Sequence, residues 1–113
     1  MKAAAITGPR QAALLDKPDL QARGNLVVVE VQAAPMCTEY KAYREGHPSQ
    51  SLGHEAAGRV VAVAQPGPVQ VGDQVAVMPQ YSCGRCALCV AGDYIHCQHL
   101  LDTGEIGGTA TYA

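Results

Sequence analysis

The sequence has no Trp and no Phe, and five Tyr are its whole aromatic complement. The aromatic contribution to any core is therefore thin. Positive charge is scarce as well: eight Lys and Arg, spread singly, face ten Asp and Glu, for a formal net charge of −2. No basic stripe exists to neutralise phosphates, and nucleic acid is not an expected partner. Long apolar runs are also missing, since the longest uncharged apolar runs, 26–29 and 60–64, fall far short of the roughly 20 residues that a membrane span needs. The opening Met1-Lys2-Ala3-Ala4-Ala5-Ile6-Thr7-Gly8 is too briefly apolar for a secretory signal. The chain is therefore expected to be cytoplasmic, with no membrane partner.

With 113 residues, 48% hydrophobic and 16% charged, the chain reads as one soluble domain with one core. A domain of this size buries roughly two-thirds of its unfolded surface, enough to fold without covalent staples but with little stability to spare.

Cysteine is the informative residue. Of five, Cys83, Cys86, Cys89 and Cys97 fall within fifteen residues as C-x2-C-x2-C-x7-C, and Cys37 stands apart. Two-residue spacers let neighbouring thiols converge on one ion, and the longer loop closes the fourth corner of a tetrahedron. A disulfide framework suits an oxidising compartment, for which nothing in the sequence argues. An iron–sulfur cluster shares the opening spacing, but the bacterial run has its fourth Cys after three residues and then Pro, whereas Cys97 follows seven and precedes Gln98. A structural zinc on four thiolates fits best, because no position is left open for substrate. His96 and His99 flank Cys97 and are read as surface residues. Four thiolates around one dication leave a local charge that Arg85 and nearby backbone N–H groups are placed to offset.

Gly and Pro punctuate the chain, and the runs between them are β-branched rather than helical in period. A mainly β fold is expected. Strands are predicted at Lys2–Thr7, Ala12–Leu15, Asn25–Ala34, Arg59–Ala64 and Gln74–Met78, with Val27, Val29, Val31 and Ala33 sharing one face of the third. Helical turns are predicted from a Thr38 cap through Arg44 and at Ala87–Ala91, and a strand begins at Ala110–Ala113. Residues 79–103 form a cysteine lobe too long to stay compact unless a metal orders it.

A second constellation sits where strands meet loops: Cys37 follows the third strand, and Gly53-His54-Glu55 precedes the fourth. A thiol, an imidazole and a carboxylate can hold zinc with one position open, which is the catalytic pattern. The residues alone leave the bland alternative standing, a packed cysteine beside a solvated His-Glu pair.

The ordered series Gly53-His54-Glu55-Ala56-Ala57-Gly58, then Val71-Gly72-Asp73-Gln74-Val75, then the lobe of Cys83, Cys86, Cys89 and Cys97, resembles the N-terminal catalytic domain of zinc-containing alcohol dehydrogenases, of the medium-chain dehydrogenase/reductase superfamily. The likeness runs from the Lys2-Ala3-Ala4 strand to Gly107-Gly108-Thr109-Ala110-Thr111-Tyr112. It implies a GroES-like, partly open β-barrel carrying a four-cysteine zinc lobe. It further implies that Cys37 and His54 ligate a catalytic zinc, that Glu55 ligates it or sits behind it, and that the four lobe cysteines hold a structural zinc. One departure is plain: the family has Cys-x-Ser/Thr-Asp, whereas here Thr38 follows Cys37 directly and Glu39 takes the next place. Thr38 is thus either a proton relay displaced by a one-residue deletion or only a helix cap. Tyr40 and Lys41 stand where a relay histidine is often found.

The resemblance implies hydride transfer between a small alcohol or aldehyde and NAD or NADP, with zinc as the Lewis acid that favours loss of the hydroxyl proton. No G-x-G-x-x-G fingerprint occurs; Gly104, Gly107 and Gly108 have the wrong spacing. Residues 1–113 are accordingly expected to be an incomplete catalytic domain whose nucleotide-binding domain is absent, inactive alone, and homo-oligomeric in the complete enzyme. Two other classes compete. A non-catalytic zinc-binding interaction module leaves Cys37 and His54 unexplained, and a cofactor-only quinone reductase leaves the four lobe cysteines unexplained.

Overall fold

The computed structural model describes residues 1–49, 52–77 and 80–100. Its elements follow the chain as β1 (Lys2–Gly8), β2 (Gln11–Asp16), β3 (Val28–Ala33), α1 (Glu39–Glu45), β4 (Ala56–Ala62), β5 (Gln74–Val77), α2 (Ala87–Val90) and a 3-10 turn at Tyr94–His96. The fold is mainly β. Among the described residues the strands form two open antiparallel sheets, a β1–β2 hairpin and a three-stranded β3–β4–β5 meander. Among the described residues no helix is long and apolar enough to cross a membrane.

Among the described residues the buried core is small. Ala3, Ala5 and Ile6 are buried along β1, with Ala56 and Val60 along β4. Val31, Val77 and Tyr81 pack on Ala56, so that all three strands of the meander and the start of the cysteine lobe meet at one alanine. Of the face expected to hold Val27, Val29, Val31 and Ala33, only Val29 and Val31 are half-buried; Ala33 is exposed, Val27 lies outside the sheet and is exposed, and Val28 on the opposite face is half-buried too.

Two strands, β3 and β4, differ from the sequence expectation by more than one residue at an end. β3 starts at Val28 rather than Asn25, because Leu26 N–H donates to Arg23 O at 2.9 Å and closes a tight turn over Gly24 and Asn25. β4 starts at Ala56 rather than Arg59 and ends at Ala62 rather than Ala64. The residues Ala56-Ala57-Gly58 have weak strand propensity but suit a close approach: a Cβ on Gly58 would run into the carbonyl of Glu30 and lie 3.0 Å from Val29 Cγ1. The expected strand at Ala110–Ala113 and the Gly107–Tyr112 motif fall outside the described residues.

Register decides where chemistry can gather. β3 pairs with β4 through Val29↔Val60, Val31↔Gly58 and Ala33↔Ala57, with an irregularity between Val31 and Ala33. Antiparallel pairing thus sets the end of β3 beside the start of β4. Cys37 lies four residues beyond Ala33, and His54 and Glu55 immediately precede Ala56, so the connection containing α1 leaves and returns at one end of the sheet.

Candidate metal centres

The lobe is built from tight turns. Cys83 precedes Gly84, whose φ of 72° reverses the chain, and Cys86 stands at the N-terminal boundary of α2. Cys89 lies within α2, and Cys97 follows the 3-10 turn, a short element the sequence reading did not foresee. Ser82 Oγ donates to Tyr94 O at 2.7 Å and ties the two ends of the lobe together.

The four Sγ atoms all lie within 4.8 Å of one another. Cys86 and Cys89 are 3.5 Å apart, Cys83 and Cys89 3.9 Å, and Cys86 and Cys97 4.0 Å. A tetrahedron with bonds of ~2.3 Å has edges of about 3.8 Å, so these thiols are already spaced for one ion. Backbone N–H groups point at the sulfurs: Cys83 N and His99 N donate to Cys97 Sγ, and Cys86 N donates to Cys83 Sγ, each at 3.4 Å. Such donors favour thiolate. The amides of Arg85 and Cys86 hold the Cys83 thiol down to about 6, whereas desolvation and the adjoining Cys86 thiol push Cys89 up to about 12. One negative charge is accommodated early and further ones are resisted, which is the state a dication resolves. His96 is 73% exposed with Nδ1 on Asp93 Oδ1 at 2.7 Å, consistent with its reading as a surface residue.

The second centre joins residues far apart in sequence. One donor atom each from Cys37, His54 and Glu55 lies within 4.8 Å of the others, a cluster that metal bonds of roughly 2.0–2.3 Å can draw together. Cys37 is exposed, and His54 and Glu55 are half-buried, so the cluster opens on one side.

Glu39, which in the sequence stands out only as the residue in the place after Thr38, belongs beside this cluster. Its Oε1 lies 2.5 Å from His54 Nδ1, and its Oε2 accepts the Cys37 N–H at 2.9 Å. Oε1 is buried and meets no donor in hydrogen-bonding alignment, so its contact with His54 is one of close approach. The signal was available: an acidic side chain two residues after the cysteine, where the chain turns into α1.

Thr38 stands at the N-cap position of α1, but its side chain makes no capping hydrogen bond. Its backbone is already helical, with φ −71° and ψ −14°, whereas a capping residue is typically extended so that its oxygen can reach the next amides. The hydroxyl is exposed and free of that duty.

Residues 23–113 match the family model for the alcohol dehydrogenase GroES-like domain. The chain is 31% identical over 107 residues to a zinc-type alcohol dehydrogenase-like protein of Haemophilus influenzae, covering 88% of this chain and 31% of that protein. It is 33% identical over 106 residues to sorbitol dehydrogenase of Bacillus subtilis, covering 86% of this chain and 30% of that one. Among solved structures, an alcohol dehydrogenase from Escherichia coli CFT073 complexed with NADH superposes with a TM-score of 0.68 at 31% identity, over 96% of this chain and 34% of that chain. The chain spans about a third of the length of the relatives it matches.

Proposed function

Because the chain belongs to the alcohol dehydrogenase GroES-like domain family, we propose that it forms the zinc-carrying catalytic domain of an oxidoreductase acting on small alcohols or aldehydes with NAD or NADP. In this reading Cys83, Cys86, Cys89 and Cys97 hold a structural zinc. Cys37, His54 and Glu55 hold the zinc that meets substrate. The nicotinamide site belongs to parts of the protein beyond these residues, consistent with a chain that covers about a third of its relatives.

The observation that carries the proposal is the convergence of a thiol, an imidazole and a carboxylate at one end of the β3–β4 pair, open on the Cys37 side. Zinc held by Cys37, His54 and Glu55 would supply Lewis acidity toward an alcohol or carbonyl oxygen. The chain's own residues do the rest. Glu39 Oε1 lies against His54 Nδ1, which leaves Nε2 as the ring nitrogen available for metal. The same carboxylate holds the Cys37 amide, so both donors are set from one side chain. Thr38, next to Cys37 and released from capping, is assigned to take up and pass on the substrate hydroxyl proton. The lobe, packed on Ala56 through Tyr81, stiffens the sheet end that carries Glu55.

Zinc per chain tests the proposal, measured by elemental analysis on wild type, Cys97→Ser and His54→Ala, before and after loading. Wild type is expected to retain a tight zinc that Cys97→Ser loses and His54→Ala keeps. Loading should add a second equivalent that His54→Ala refuses. A single site even after loading would instead favour a zinc-binding interaction module, and a folded chain that takes up no zinc would remove the proposal's physical basis.

A further inference from the structure

Neither metal centre uses the β1–β2 hairpin, yet the hairpin touches both stretches of chain that deliver the second centre. Its turn at Pro9 and Arg10 lies against the C-terminal end of α1. Arg10 N–H donates to Tyr43 O at 2.8 Å, and the Tyr43 hydroxyl donates back to Arg10 O at 2.9 Å. Arg10 has a φ of 56°, the one left-handed non-glycine among the described residues. A side chain disfavours that conformation, and here it coincides with the reciprocal pair of hydrogen bonds. Gly46 ends α1 with a φ of 78°, and a Cβ on it would stand 2.5 Å from Pro9 N and 2.6 Å from Pro9 Cδ. Turn and helix end therefore meet with no room for a methyl group.

Beyond α1, Ser49 and Leu52 bond to β1. Ile6 N donates to Ser49 O at 2.9 Å, Ser49 N to Ile6 O at 3.3 Å, and Leu52 N to Ala4 O at 2.8 Å. His54 follows two residues later. α1 itself is seven residues long and buries none of them, so its own packing does little to fix its axis.

We infer that the hairpin is a positioning platform for the second centre: the Arg10–Tyr43 hydrogen bonds and the Gly46–Pro9 contact fix α1, and with it Glu39, relative to the β1-bound segment that leads to His54. Tyr43 and Gly46 are positioning residues that act through Glu39 on the imidazole. The inference rests on reading Cys37, His54 and Glu55 as a metal site.

Cobalt(II) binding tests it on the 113-residue chain, with the four lobe thiolates first filled by one equivalent of zinc. The readout is the thiolate-to-cobalt absorption that Cys37 supplies, identified by its loss in Cys37→Ser. Gly46→Ala is expected to raise the half-saturating cobalt concentration about fivefold, and Tyr43→Phe about two- to threefold, while zinc at the lobe stays at one equivalent. Half-saturation equal to wild type in both variants overturns the inference. So does a parallel loss of lobe zinc in both, which would mark general destabilisation. Tyr43→Phe removes a single hydroxyl and decides the matter if Gly46→Ala fails to fold. A wild type without any Cys37-dependent band overturns the metal-site reading itself, and is thereby distinguished from failure of the platform.

Discussion

Glu39 Oε1 approaches His54 Nδ1 to 2.5 Å, and the other oxygen of the same carboxylate accepts the Cys37 amide. A single side chain on the first residue of α1 thus links two donors separated by sixteen intervening residues. Partners of metal-bound imidazoles fix the ring's orientation and raise its basicity. Glu39→Ala is expected to weaken metal at the Cys37–His54–Glu55 centre by about 10- to 100-fold. Chelator competition on zinc-loaded chain checks this, with lobe zinc as the internal standard.

The lobe is expected to stabilise the whole chain through its metal. Cys97 is 8% exposed and collects amides from Cys83 and His99, so Cys97→Ser removes the most enclosed corner of the tetrahedron. With so small a core, losing about 2 kcal/mol of metal-derived stability lowers the thermal midpoint by roughly 10 °C. Differential scanning calorimetry of wild type and Cys97→Ser, both purified with zinc, measures the difference; equal midpoints would contradict it.

Gly58→Ala is expected to destabilise the chain by about 2–3 kcal/mol, because the added methyl meets the Glu30 carbonyl, and backbone cannot yield as a flexible side chain can. The change also forces β3 from β4 at the end where the second centre forms. Urea denaturation gives the first effect and zinc stoichiometry the second.

Without metal, stability should depend on pH with a maximum near the ordinary thiol range. Cys83 falls from 9.0 to about 6 in the folded chain. An acid with a lowered folded value contributes stability that is present above 9 and lost as pH falls toward 6. Cys89 moves the other way, from 9.0 to about 12. It stays protonated in the folded chain while the unfolded chain ionises, so stability is lost as pH rises from 9 toward 12. The thermal midpoint of the chelator-treated chain, followed from pH 6 to 11, should therefore rise and then fall. Zinc should remove the rise near neutrality by holding the thiolates ionised.

Local chemistry and spacing were enough to specify much of this protein. The x2 spacers of the lobe bring thiols together with no help from distant chain, so the clustering of Cys83, Cys86, Cys89 and Cys97 was legible directly. The strands β1 and β2 and the helix α1 were legible for the same reason, since local propensity, Pro and Gly act over a few residues, though their pairing was not. The meeting of Cys37 with His54 and Glu55 was not determined by spacing; it exists because Ala33 pairs with Ala57, a long-range register that no local pattern encodes. The early start of β4 was hidden in Ala56-Ala57-Gly58, whose smallness has meaning only against β3. Thr38 carries the composition of a cap, but the path of the chain into α1 left it none to make. Only the tertiary structure turned Glu39 toward His54 and set Arg10 against Tyr43, because these contacts depend on how separate elements dock and not on what any one of them contains.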